Sequence, residues 1–175
     1  MAENTDQLTA RLFNQFPSER PYATNEKQQA HLLDQYKLYV EMADRISARR
    51  QTANSYFLSI NTALVGFVGY ITSKESGDYY WLLPVAGVAL SYLWYRLIRS
   101  YRDLNTAKFK VIHEIEKALP LSPYDAEWEA IGRGEQPKLY KPFTHIETGV
   151  PWVFILLHVF VFVRTVPWRS ICSWF

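Results

Sequence analysis

The chain has 175 residues, with 19 Lys/Arg, 17 Asp/Glu and one Cys. Its near-neutral mean hydropathy averages two kinds of sequence, because residues 53–73, 79–95 and 148–163 cover 54 positions without an Asp, Glu, Lys or Arg, and the other 121 carry all 36 charges. Each uncharged stretch is close to the ~17 to 25 residues a helix needs to cross a bilayer, which argues against an ordinary soluble domain and for an integral membrane protein.

The polar parts are electrically balanced. Residues 1–52 hold seven basic and seven acidic side chains, and residues 96–147 hold nine and eight, so no basic surface is available for nucleic acid. The first 25 residues have no apolar core followed by a small-residue cleavage site, and Pro17 and Pro21 interrupt them. They read as a flexible polar tail rather than a signal peptide. Cys172 stands alone, so an intrachain disulfide is excluded and redox chemistry has no support.

Residues 26–175 read as one helical membrane domain. Asn25 is placed as a cap with Glu26 in the first turn, and neither Gly nor Pro follows until Gly66, so a single helix is expected over about residues 26–73. Leu32, Tyr36, Tyr39, Val40, Ala43 and Ile46 form an apolar stripe on its first half. Its second half, about 53–73, is the first membrane segment.

The polar turn at residues 73–78 forces the next segment back antiparallel. That second membrane segment, about 79–95, opens on Tyr79, Tyr80 and Trp81 and closes on Trp94 and Tyr95, rings suited to the headgroup level. Leu97, Tyr101, Leu104, Val111, Ile115 and Leu119 continue a helical stripe to Pro120, packing against residues 26–52. In the connector 96–147, Ser122, Pro123 and Asp125 predict a short capped helix ending at Gly132, and Thr144 and Glu147 have capping-box spacing.

A third apolar segment, about 148–166, follows. The 14 residues from Val150 to Val163 would rise only ~21 Å, short of the ~30 Å hydrocarbon core unless flanking residues join the helix. A third membrane helix is the expectation, with a packed or re-entrant helix as the alternative. Arg45, Arg49 and Arg50 flank the first segment and Arg96, Arg99 and Arg102 the second on the same side, against Lys74 alone in the turn. The N-terminus and the connector are therefore expected in the cytoplasm, although Arg164 and Arg169 weigh against an outside C-terminus.

Motifs for chemistry are missing. The sequence has no phosphate-binding glycine loop, nucleophile elbow or zinc-helix motif, and no arginine lies four to six residues before a histidine as in membrane-tethered ribonucleases of the HEPN type. His113 and Glu116 share a helical face and could share a metal, but on a helix this charged a solvated face is the expectation. The protein is expected not to be an enzyme, with no cofactor and no metal. Three constellations remain. His158 sits mid-segment, either as a pore-lining or proton-sensitive group or as a neutral imidazole bonded to a neighbouring helix. The six arginines either bind anionic headgroups of membrane lipids or serve topology alone.

The third constellation is a seam. Ala48, Thr52, Ser55, Ser59, Thr62, Gly66, Gly69 and Ser73 recur at alternating spacings of four and three. In lipid, small residues let backbones approach and hydroxyls bond across, so the seam either joins protomers or seats the second helix of the same chain through Gly87 and Ser91. Asn54 and Asn61 form a further polar flank, which suggests two partners.

Finally, Trp94-Tyr95-Arg96, Arg99-Ser100-Tyr101, Leu104-Asn105, Ala107-Lys108-Phe109, Glu116, Leu119-Pro120, Glu127-Trp128 and Ile146-Glu147 with Pro151 resemble the RipA family of bacterial octameric membrane proteins. The resemblance implies a bacterial inner-membrane homo-octamer without an assigned reaction. The layout is also similar to the two-transmembrane effectors of bacterial nucleotide-signalling defence systems, from which the third apolar segment departs. The expected role is an assembly or envelope-stress platform, with or without a central pore. The alternative is a pore-forming effector that depolarises the membrane when an unidentified cytosolic partner triggers it.

Overall fold

The computed structural model describes residues 2–14, 25–74, 80–135 and 143–166, and among these the fold is all-α. In chain order the helices are α1 (Ala2–Leu12), α2 (Asn25–Lys74), α3 (Leu82–Glu116), α4 (Pro123–Ala130) and α5 (Phe143–Thr165), with a 3-10 turn at Gly132–Gly134. The centre of the polar turn after α2, Tyr79, Arg169 and Cys172 lie outside the described residues.

α2 is one helix of 50 residues, as its sequence demands: nothing in it removes a backbone donor, and Gly66 and Gly69 cost only ~1 kcal/mol each. Several boundaries differ from expectation. Where a tail was expected, residues 2–12 form α1, and Thr9 Oγ1 donates to Glu114 at 2.9 Å. α3 starts at Leu82, because Tyr80 and Trp81 are spent on a turn closed by Leu83 N to Tyr80 O. α5 starts at Phe143, ahead of Thr144, so Thr144 is not its cap and Glu147 is free to pair elsewhere.

The early start changes the span. α5 has 23 residues, a rise of ~34 Å, and it is one continuous helix. Among the described residues, two helices are long and apolar enough to cross a membrane, α2 and the Ile146–Thr165 part of α5. In α3 the described uncharged run is only residues 82–95, ended by Arg96.

The chain packs as two compact units, residues 1–48 with 103–141 and residues 49–102 with 142–175. The divisions in α2 and α3 fall at the arginine clusters, within Arg45 to Arg50 and directly after Arg102. In the first unit, Ala43, Ile112 and Ile115 are buried and Tyr36, Tyr39 and Val40 are half-buried, the stripe expected of α2. The α3 stripe is rotated from expectation. Its inner face is Ile98, Tyr101, Asn105, Lys108, Ile112 and Ile115, while Leu104 is 48% exposed. Lys108 hides the true periodicity: its stem is buried and its Nζ lies 4.4 Å from the Tyr39 ring centre, a cation–π contact.

In the second unit α5 runs parallel to α2. Arg50 meets Glu147 near the start of the pair and Asn61 meets His158 eleven residues further along each helix. α3 returns antiparallel, with Trp94 beside Asn54 and Ser91 beside Asn61. The outer surface is apolar: Tyr56, Phe67, Tyr70, Leu93, Val153, Leu156 and Phe160 are all exposed. Such a surface is unfavourable in water and suited to acyl chains.

Candidate functional site

The interior of the second unit holds a hydrogen-bonded polar core. Asn61 Nδ2 donates to its own helix at Phe57 O, 2.8 Å, which fixes the amide so that Oδ1 faces α3 and α5. Ser91 Oγ donates to that oxygen at 2.8 Å, and His158 Nε2 lies 3.1 Å from it. Because Oδ1 can only accept, Nε2 of His158 carries a proton and donates to it. All three side chains are 1% exposed or less. Two turns back along α2 and one turn on along α3, Trp94 Nε1 donates to Asn54 Oδ1 at 2.9 Å, and the Trp94 ring stacks on Phe57 and meets Phe154. A buried amide without partners costs several kcal/mol, and here each is met by a group from another helix.

Gly87 makes this packing possible. A Cβ there would lie 2.3 to 2.5 Å from three atoms of the His158 ring, so the imidazole occupies the space a side chain would fill. Asn54, Asn61 and His158, read in the sequence as separate intramembrane polar residues, thus form the inner seam. Ser91 and Gly87 serve it, and not the small-residue stripe.

That stripe lies on the other side of α2. Ser55, Ser59, Thr62, Gly66 and Gly69 are all exposed, and a Cβ added at Gly66 or Gly69 would meet nothing within 4 Å. The hydroxyls do not reach out to bond across an interface. Ser59 Oγ donates to Ser55 O at 2.9 Å and Thr62 Oγ1 to Leu58 O at 2.8 Å, so each is satisfied within its own helix. The face presented outward is therefore made of small side chains, with the Ser59 and Thr62 hydroxyl protons already engaged within α2.

The arginines divide. Arg45 pairs with Glu41 at 2.7 Å and Arg50, largely buried, with Glu147 at 3.7 Å. Glu147 was missed as a partner because its register against Arg50 exists only once α5 is docked. Arg49, Arg96, Arg99 and Arg102 are exposed. Arg99 Nη1 donates to Tyr95 Oη at 3.2 Å, and the Tyr95 ring meets Trp152 of α5 edge-on at 5.5 Å.

His113 and Glu116 do not form a solvated face. Glu116 is 1% exposed and accepts three hydrogen bonds, from Tyr36 Oη at 2.8 Å, Tyr124 N at 3.0 Å and Asp125 N at 3.1 Å. It thereby does at the α4 N-terminus what Ser122 was expected to do. Ser122 makes no side-chain cap and its Oγ instead reaches Glu116 O at 3.4 Å. Burial, reinforced by the Glu116 carboxylate, pushes the Tyr36 phenol far above its usual range, so it remains a donor. Two residues before Glu116, the Lys117 ammonium holds the Glu114 carboxyl below its usual range, against burial and with help from Thr9. Among the described residues no group of three or more His, Cys, Asp or Glu is placed to hold a metal.

A helical layer with hydrogen-bonded amides inside and an apolar surface outside defines a membrane protein. Residues 33–167 match the model of the Octameric membrane protein family (8xMP), and the chain belongs to that family. Membership makes it a homo-oligomer in the membrane. Comparison with curated proteins and with solved structures gave no match.

Proposed function

We propose that this protein is a non-enzymatic homo-octamer of the bacterial inner membrane, an assembly or envelope-stress platform whose protomers meet through the small-residue face of α2. One observation carries the reading. In a chain of an octameric family, the face best shaped for close helix approach is exposed, with open space at both Gly66 and Gly69. Lipid tails give apolar helices no reason to associate, so small residues that admit a neighbouring backbone supply the contact. The internally bonded hydroxyls favour packing over the lining of a water-filled pore.

Gly66→Leu with Gly69→Leu is expected to insert normally and to run as smaller species after mild detergent extraction. Overpacking costs ~1 to 3 kcal/mol per site, and one interface repeats around a ring. Tyr56→Leu with Phe67→Leu, about 100° round the helix, should keep the wild-type size. An unchanged size for the glycine pair would remove the interface from this face. Overexpression should leave the membrane potential intact; rapid depolarisation would favour the pore-forming effector.

Orientation follows from the arginines. The N-terminus and residues 96–147 face the cytoplasm, and α5, parallel to α2, ends on the far side. A reporter active only in the cytoplasm should work when fused after Leu119 and fail when inserted between Glu75 and Ser76. The reverse pattern would invert the orientation.

A further inference from the structure

We infer that Arg96, Arg99 and Arg102, with Tyr95 and Trp152, form a binding site for the headgroup of an anionic phospholipid. The inference rests on the membrane reading above and goes beyond it, because positive-inside topology needs arginines only in number. A site needs them on one surface, beside groups that fix a headgroup and its chains.

The three arginines are exposed on α3 and fall within an arc of about 120° and an axial rise of about 9 Å, so one phosphate can reach two guanidinium groups at once. Arg96 and Arg102 make no ion pair among the described residues, unlike Arg45 and Arg50, whose charges are answered within the protein. Asp103 follows directly, and residues 95–103 still carry a net charge of +2.

Aromatic placement is the second observation. Tyr95 is half-buried, accepts from Arg99 at 3.2 Å, and is held by the edge of Trp152, which is itself half exposed. This row of Arg, Tyr and Trp joins α3 to α5 at the boundary between charged and uncharged sequence, where amphipathic rings sit at the headgroup level. From there Tyr92 on α3 and Leu156 on α5 extend toward the apolar interior and are both exposed, offering a surface for acyl chains. Arg99 is oriented by Tyr95 before a lipid arrives, which lowers the ordering cost of binding.

The full-length protein is reconstituted in phosphatidylcholine vesicles with a minor fraction of phosphatidylglycerol and extracted in mild detergent. Phosphatidylglycerol retained per protomer is then measured. Each arginine near an anionic surface contributes ~1 kcal/mol, so Arg99→Gln with Arg102→Gln should lower retention by at least about tenfold. Arg49→Gln with Arg164→Gln removes equal charge from α2 and from the far end of α5 and should leave retention at the wild-type level. Arg99→Lys with Arg102→Lys keeps the charge that sets topology but loses the planar fork, and should fall between the two. Retention unchanged in both Arg99/Arg102 variants, or equal loss in the Arg49/Arg164 pair, overturns the site and leaves the membrane reading intact. Recovery of the wild-type chain outside the membrane fraction, scored beforehand, overturns both.

Discussion

Gly87→Ala is expected to destabilise the fold by ~2 to 4 kcal/mol, a large effect for one methyl group. The new Cβ would start 2.3 Å from the His158 ring, and the ring cannot retreat without breaking its 3.1 Å contact with Asn61. Overpacking contributes ~1 to 3 kcal/mol and the lost hydrogen bond ~1 kcal/mol more. Thermal unfolding in detergent, followed by tryptophan fluorescence, measures the loss. The decisive comparison is a double-mutant cycle. His158→Ala removes the obstacle, so the pair should be less damaging than the sum of the single changes by ~1 kcal/mol or more. Strict additivity would show that the ring is not what Gly87 accommodates.

Glu116→Gln is expected to cost about as much, ~2 to 4 kcal/mol, although it changes one oxygen to an NH2 group. The carboxylate accepts from three donors, with two on Oε1 and one on Oε2. An amide has one acceptor, so in either orientation one backbone N–H of α4, that of Asp125 or that of Tyr124, faces a donor in a buried place. The favourable charge at the α4 N-terminus is lost as well. Glu129→Gln breaks an exposed pair with Arg133 and should cost under ~1 kcal/mol. Tyr36→Phe should fall between them. Tryptic cleavage after Arg133 should quicken in the Glu116 variant, because α4 no longer has its anchor. A Glu116 variant as stable as the Glu129 variant would contradict the three-bond geometry.

What could be read from the sequence was whatever a single helix decides for itself. The run without Gly or Pro from Asn25 gives α2, and the spacing of Ser55 to Gly69 gives a small-residue face, because both depend only on positions along one axis. Asn61 and His158 were visible as polar groups in apolar stretches. Their pairing was not, since it rests on the register of two helices 97 residues apart. Glu116 misled for a related reason. Its neighbours His113, Glu114 and Lys117 make the turn look solvated, and only the arrival of α4, with N–H groups lacking partners, makes burial of a carboxylate favourable. The α3 stripe was placed one step off because Asn105 and Lys108 occupy inward positions that a search for apolar residues passes over.

The parallel register of α5 and α2 also sets an order of events during synthesis. α2 and α3 leave the ribosome first and can insert as a pair, with Ser91 already bonded to Asn61. Until α5 arrives, the second bond to the Asn61 oxygen is missing, the hollow over Gly87 is unfilled, and Arg50 lacks the carboxylate of Glu147. A chain at that stage holds an amide oxygen with one bond fewer and an arginine without its carboxylate. Docking of α5 supplies both partners together.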